Sequence, residues 1–180
     1  MSLGSDHQLP PPRDPSGPYR VCVVCLGNIC RSPMAEVVLR ARLAAAGLDG
    51  RVIVDSAGTG DWHVGDPMHK GSRAQLAARG YDGSAHRARQ FRADWLAERD
   101  LILAMDANNL ATLQALAADT DTEHRIRLFS RAAGLGEADV PDPYGGDGEE
   151  FARVLDMLES GMGNLVDQLR NLLETRAAGR

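Results

Sequence analysis

The 180-residue chain is poor in aromatic residues, 4% of the total, and has only three cysteines, Cys22, Cys25 and Cys30, all within the first 30 positions. A disulfide framework spreads its cysteines through the chain, so this clustering excludes one and points to a reducing, cytoplasmic setting. No apolar stretch is long enough to span a membrane, and the first 18 residues lack the apolar core of a secretory signal. The five histidines show no paired spacing with cysteines or carboxylates, so the sequence offers no metal site and calls for no cofactor. A net charge of −5 argues against general nucleic-acid affinity. Any phosphate binding must come from a local site rather than from the field of the whole molecule.

What is present concentrates in residues 19–47. The run YRVCVVC is rich in Val and reads as a buried strand ending at Cys25. After the loop LGNICRS, residues Met34, Val37, Val38, Ala41 and Ala45 recur at helical spacing until Gly47, with Ser32 expected as N-cap and Pro33 as the first helical residue. A helix N-terminus presents unpaired N–H groups and the positive end of its dipole, so a loop curling into it forms an anion cradle. Cys25 stands at one side of that cradle and Arg31, a planar bidentate donor, at the other. A free thiol titrates near ~8.5 and converging positive potential lowers that value, so Cys25 is expected as a thiolate nucleophile at neutral pH. Strand residues three apart point to opposite faces, so Cys22 cannot share a bond or a ligand with Cys25 and reads as core.

Residues 1–18 are rich in Pro, Ser and Gly and are expected to be a disordered leader, with residues 19–177 as a single domain. RVIVD at 51–55 reads as a second strand, and 56–67 as a Gly-rich loop holding Trp62, whose ring suits either a lid on the core or the wall of a site. A short helix over 67–80 and a basic loop at 86–90 follow, and Trp95 reads as core. DLILAM at 100–105 is the third strand, Asp106 caps the helix after it, and RIRLF at 125–129 is the fourth strand. After a long loop over 130–148, a helix runs from 149 to about 175, with Gly161 and Gly163 expected to bend it. The pattern predicts an α/β fold: a four-stranded parallel sheet of order 2-1-3-4 with helices on both faces. Ligands bind such sheets beyond the carboxyl ends of the strands at the switch point, which is where Cys25 lies.

Cys25-Leu26-Gly27-Asn28-Ile29-Cys30-Arg31-Ser32 resembles the Cys-x5-Arg-Ser phosphate loop of the low-molecular-weight protein tyrosine phosphatases. The resemblance implies that these residues hold a phosphate or similar oxyanion, with Cys25 as nucleophile, Arg31 on the oxygens and Ser32 donating to the Cys25 sulfur. Asp55-Ser56-Ala57-Gly58-Thr59 and Asp61-Trp62-His63-Val64-Gly65 resemble that family's second loop, which makes Trp62 a pocket wall and Ser56 a brace for Asn28. His63 stands where the family often has Asn, a position suited to tuning substrate choice. His86 resembles the family's His-x-Ala-Arg histidine, which packs against the phosphate loop.

Asp142, in Val-Pro-Asp-Pro-Tyr-Gly, reads by itself as a turn residue, but the segment resembles the family's general-acid loop, with Tyr144 as the second wall. Gly145 replaces a second Tyr common there. The implied activity is hydrolysis of protein phosphotyrosine and aryl phosphates through a cysteinyl-phosphate intermediate, with phosphotyrosine-containing proteins as partners and no metal. A thiol-linked arsenate reductase uses a similar loop but needs downstream cysteines, and none follows Cys30. A noncatalytic phosphoprotein-binding module has no use for Asp142. Cys30, five residues beyond Cys25, is expected to form a disulfide with it on oxidation and so to make the enzyme redox-sensitive.

Overall fold

In the computed structural model, which describes residues 8–118 and 120–179, the Val-rich run Tyr19–Cys25 forms β1, and all of it except Arg20 is buried. A strand covered on both faces has to be apolar on both, and β1 lies inside a parallel sheet of order β2-β1-β3-β4. The other strands are β2 (Val52–Gly58), β3 (Leu101–Ala104) and β4 (Ile126–Leu128). On one face lie α1 (Arg31–Ala45), α2 (Lys70–Ala78) and α5 (Gly148–Ala178); on the other lies α3 (Ala107–Leu116), with a 3₁₀ turn at Ala93–Ala97. A short helix, α4 (Phe129–Ala132), follows β4. Val21, Val23 and Cys25 enter one core cluster, Cys22 and Val24 the other, so the two cysteines face opposite sides of the sheet as the strand period requires. The chain passes from β1 to β2 on one side and then to β3 on the other, which leaves the carboxyl end of β1 at the switch point.

Three local expectations are corrected. α1 begins at Arg31, with Cys30 at the N-cap and no side-chain cap, because the Ser32 hydroxyl is engaged with the Cys25 sulfur. Pro33 still falls in the first turn, where its missing N–H costs nothing. β2 continues to Gly58 rather than ending at 55, and its register sets Gly58 beside Cys25. α5 runs without interruption through Gly161 and Gly163. A Cβ on Gly161 would lie 2.6 Å from that of Ala133, so this glycine permits close packing there.

The expected leader also differs, because residues 8–18 are packed across the amino ends of the strands; residues 1–7 lie outside the described residues. Leu9 is buried in the main core. Tyr19 Oη donates to the Pro10 carbonyl at 2.8 Å, and Arg125 Nη1 to that of Pro11 at 2.7 Å. Arg13 donates through its side chain to the carbonyls of Arg99 (2.9 Å) and Leu96 (2.8 Å), and through its backbone N–H to Asp100 Oδ1 (2.6 Å). A proline-rich segment has little backbone freedom to lose, so a few buried donors suffice to fix it.

Candidate active site

Residues 26–30 connect β1 to α1, and the carbonyls of Leu26, Asn28, Ile29 and Cys30 are taken up by the surrounding protein. Gly60 N–H donates to Leu26 O at 2.9 Å, His86 Nε2 to Asn28 O at 2.6 Å, and His69 N–H to Ile29 O at 2.8 Å. Cys30 O accepts from Met34 N–H at 3.3 Å and from the Ser72 hydroxyl at 3.3 Å. With those carbonyls held outward, the loop amides are left for the concave side. Among the described residues, the backbone N–H groups of Gly27, Asn28, Ile29 and Cys30 donate to no protein acceptor. Such a ring of amides at a helix N-terminus is an anion-binding nest. Its curvature requires a left-handed residue, and Asn28 (φ 56°) supplies it, Asn being the type that visits this region most readily after Gly. Gly58 of β2 lies beneath the loop, where a Cβ would sit 2.7 Å from Leu26 O.

Asn28 is wholly buried and uses its full amide. Its Nδ2 donates to Ser32 Oγ at 2.8 Å and Ser56 Oγ at 2.9 Å, and its Oδ1 accepts from Arg89 N–H at 2.9 Å. Ser56 in turn donates to Glu36 Oε2 at 2.7 Å. Because His86 Nε2 meets a carbonyl, that nitrogen carries the hydrogen, and burial lowers the His86 pKa and favours the neutral ring. Ser56 and His86 thus act on the loop through Asn28 rather than by lining the pocket.

The Cys25 sulfur lies 3.0 Å from the Ser32 hydroxyl. Arg31, almost fully buried, donates from Nη1 to Asp106 Oδ2 at 2.6 Å and to Val140 O at 3.0 Å, while Nη2 lies 3.5 Å from Asp142 Oδ2. Its Nε is buried with no hydrogen-bond partner. Burial opposes the guanidinium charge, yet Cys25, Asp106 and Asp142 together raise its pKa above the ordinary value. Asp106 is the expected N-cap, its Oδ1 accepting from Asn109 N–H at 2.7 Å, and it also anchors Arg31. Sequence reasoning missed that second role, as it missed Glu36.

Cys25, Leu26, Gly27, Ile29, Cys30 and Arg31 form the floor of one pocket, and Trp62, His63, Asp142 and Tyr144 form its walls. Trp62 and Tyr144 are 70% and 60% exposed, so both rings are spent on the mouth rather than on the core. Tyr144 is flanked by His63 (centroids 6.1 Å apart) and by the edge of His69 (5.7 Å), which stacks on Phe151 of α5 at 4.9 Å. His69 is a second wall support that the sequence did not single out. Asp142 Oδ1 accepts from Tyr144 N–H at 3.1 Å, a tight Asx turn that holds acid and ring together. The Cys30 thiol is pushed up to about 12, by burial first and by the charges of Cys25 and Asp142 after it. Trp95 lies elsewhere, between the guanidinium groups of Arg89 (4.8 Å) and Arg99 (4.6 Å).

Among the described residues, no cluster of three or more His, Cys, Asp or Glu side chains could hold a metal ion, and no helix is long and apolar enough to cross a membrane. Residues 20–175 match the family described as low molecular weight phosphotyrosine protein phosphatase. A low molecular weight protein-tyrosine-phosphatase of Streptomyces coelicolor is 46% identical over 163 residues, covering 89% of this chain and 99% of that one. Among solved structures, a protein tyrosine phosphatase from Entamoeba histolytica with Hepes in its active site superposes with a TM-score of 0.80 at 32% identity, covering 85% of this chain and 97% of that one. YfkJ from Bacillus subtilis superposes with a TM-score of 0.77 at 37% identity, covering 87% and 97%. With a match spanning most of its length and a thiol, guanidinium and carboxylate around one nest, the chain belongs to the low-molecular-weight phosphotyrosine protein phosphatase family.

Proposed function

We propose that this phosphatase hydrolyses phosphotyrosine in proteins, and simple aryl phosphates, by a double displacement. The Cys25 thiolate attacks phosphorus as the bond to the phenolic oxygen breaks, and the Asp142 carboxyl gives that oxygen its proton. A phenol of pKa near ~10 is a poor leaving group at neutral pH without such a donor. The nest amides and Arg31 Nε bind the equatorial oxygens as charge redistributes over them. Water then attacks the cysteinyl-phosphate, the Asp142 carboxylate takes its proton, and Cys25 departs as thiolate, eased by a hydrogen bond from Ser32. Trp62 and Tyr144 sandwich a flat, long phosphotyrosine, and phosphoserine falls short of the thiolate.

The observation that carries this reading is the single pocket in which Cys25, an Arg31 with an unpartnered Nε, and Asp142 meet above a ring of undonated amides. The same reading includes a cytoplasmic location, phosphotyrosine proteins rather than nucleic acids as partners, and redox sensitivity through Cys30. The arsenate reductase alternative lacks resolving cysteines beyond Cys30, and the binding-only alternative leaves Asp142 idle. The test is steady-state hydrolysis of an aryl phosphate and a phosphotyrosine peptide with chelator present. Cys25→Ser protein, checked for its fold by circular dichroism, should show no turnover, and Arg31→Lys should lose most of it, since an ammonium cannot make the two-pronged contact. Undiminished hydrolysis by the Cys25 variant would assign the chemistry elsewhere.

A further inference from the structure

The pocket walls come from two segments, residues 59–69 with Trp62 and His63, and residues 137–150 with Asp142 and Tyr144. Together these segments hold eight carboxylates and no lysine or arginine, so the rest of a chain of net charge −5 is net positive. Negative charge is therefore concentrated in the two segments that carry the walls of a site built to bind an anion. Four of the eight are already committed. Glu137 pairs with Arg131 at 3.4 Å and Glu149 with Arg153 at 3.4 Å, while Asp139 accepts from Ala107 N–H at 2.9 Å and Asp147 caps α5 at 3.1 Å.

Of the others, Asp142 is the proposed acid, which leaves Asp61, Asp66 and Glu150, all exposed. Asp61 adjoins Trp62, Asp66 Oδ2 lies 3.1 Å from His63 Nδ1, and the Glu150 carboxylate lies against Gly146, two residues past Tyr144. Neither Asp61 nor Glu150 has an ion-pair partner among the described residues. Lys70, beside His69, offsets part of this charge. At the floor the order reverses, where Arg31, its Nε buried without a partner, and the loop residues with their undonated amides line the pocket.

Resting on the phosphotyrosine reading above, we infer that the acidic rim selects phosphotyrosine flanked by arginine or lysine and rejects acidic flanks. The phosphate is held at the floor by short-range donors, whereas the residues beside it in an extended peptide advance ~3.3–3.6 Å each and so come to lie along the rim. Solvent-exposed charges there act over about a Debye length, ~8 Å at physiological salt, so the preference is sensitive to ionic strength. Three carboxylates acting on two or three flanking charges, each contact weak, give a preference of about tenfold.

The experiment compares three phosphotyrosine peptides of equal length, with flanks of arginine, of glutamine or of glutamate, each rate being normalised to that on an aryl phosphate that has no flanks. The expected order of kcat/KM is arginine, glutamine, glutamate, with about tenfold between the extremes at low salt, carried by KM. The spread should collapse at ~1 M salt, where the Debye length is ~3 Å, and shrink in the Asp61→Asn/Glu150→Gln double variant. Equal rates on all three peptides, or a spread that neither salt nor the double variant reduces, overturns the rim inference and leaves the phosphatase reading standing. Failure to hydrolyse the aryl phosphate and every peptide overturns both.

Discussion

Arg31 and Asp106 are 75 positions apart in the chain, yet their side chains meet at 2.6 Å, Nη1 against Oδ2, at the switch point of the sheet. The second oxygen of Asp106 caps α3, so one carboxylate fixes both a helix and the guanidinium. With Nη1 held there and on Val140 O, the guanidinium of a residue that lines the pocket is fixed before any substrate arrives. Such preorganisation removes a reorientation cost from the reaction.

Replacing Asp106 separates its two roles. Asp106→Asn keeps a good cap and loses the ion pair, so the melting temperature should hold while kcat/KM on an aryl phosphate falls ~10- to 100-fold, the range of a charged hydrogen bond worth ~1.5–3 kcal/mol. Asp106→Ala should show the same kinetic loss and melt a few degrees lower, since a lost cap costs ~1 kcal/mol. Full activity in the Asn variant would mean that the loop and Val140 O position Arg31 alone.

Asp142 is tested through the leaving group. Asp142→Ala should slow hydrolysis of phosphotyrosine peptides by ~10²–10⁴, and that of an ester with a more acidic phenol by much less, because only the poor leaving group depends on the proton. Comparable losses on both would make Asp142 a positioning group, consistent with its place 3.5 Å from Arg31 Nη2.

The ordered segment before β1 lies outside the family match, which begins at residue 20. Its effect should be on stability alone. Arg13→Ala strands the carbonyls of Arg99 and Leu96, a loss of ~1–3 kcal/mol, and so should lower the melting temperature by about 5 °C with kcat and KM unchanged. An unchanged melting temperature would make the segment a passive covering.

What was legible in the sequence was whatever is local along the chain. The strand, the loop and the helix around Cys25 are contiguous, and four apolar runs separated by helices leave few topologies, so the order β2-β1-β3-β4 could be read before any contact was known. Trp62 stands out because large rings are rare here and this one lies in a loop, and Tyr144 because the segment around it resembles the family's general-acid loop. The Arg31–Asp106 pair, the Glu36–Ser56 link and the His69 support were not legible, since each joins segments that the sequence keeps 20 or more residues apart. For Ser32 the Ser-Pro pair signals a cap that the helix does not use, whereas its place beside the Cys25 sulfur, implied by the resemblance of the loop, is where the hydroxyl lies. The order of residues 8–18 was hidden for a similar reason, as a proline-rich composition does not reveal which buried donors await its carbonyls.

Cys30 carries the last prediction. Its thiol, pushed up to about 12, is protonated at neutral pH. Burial is the larger cause of that shift, and the negative charge of Cys25 is the next. When peroxide converts the Cys25 thiolate to a neutral sulfenic acid, the second cause vanishes, and Cys30 becomes easier to ionise at the moment a resolving thiolate is needed. Attack of the Cys30 sulfur on the sulfenic sulfur then forms the disulfide and releases the Cys25 oxygen as water, protecting Cys25 from irreversible overoxidation. Wild-type protein treated with peroxide should regain activity with a thiol reductant, and peptide mapping before reduction should find a Cys25–Cys30 linkage. Cys30→Ser protein should recover much less after the same exposure. Equal recovery by the variant, with no such linkage in the wild type, would reduce Cys30 to a packing residue beside Ile29, Ala88 and Phe151.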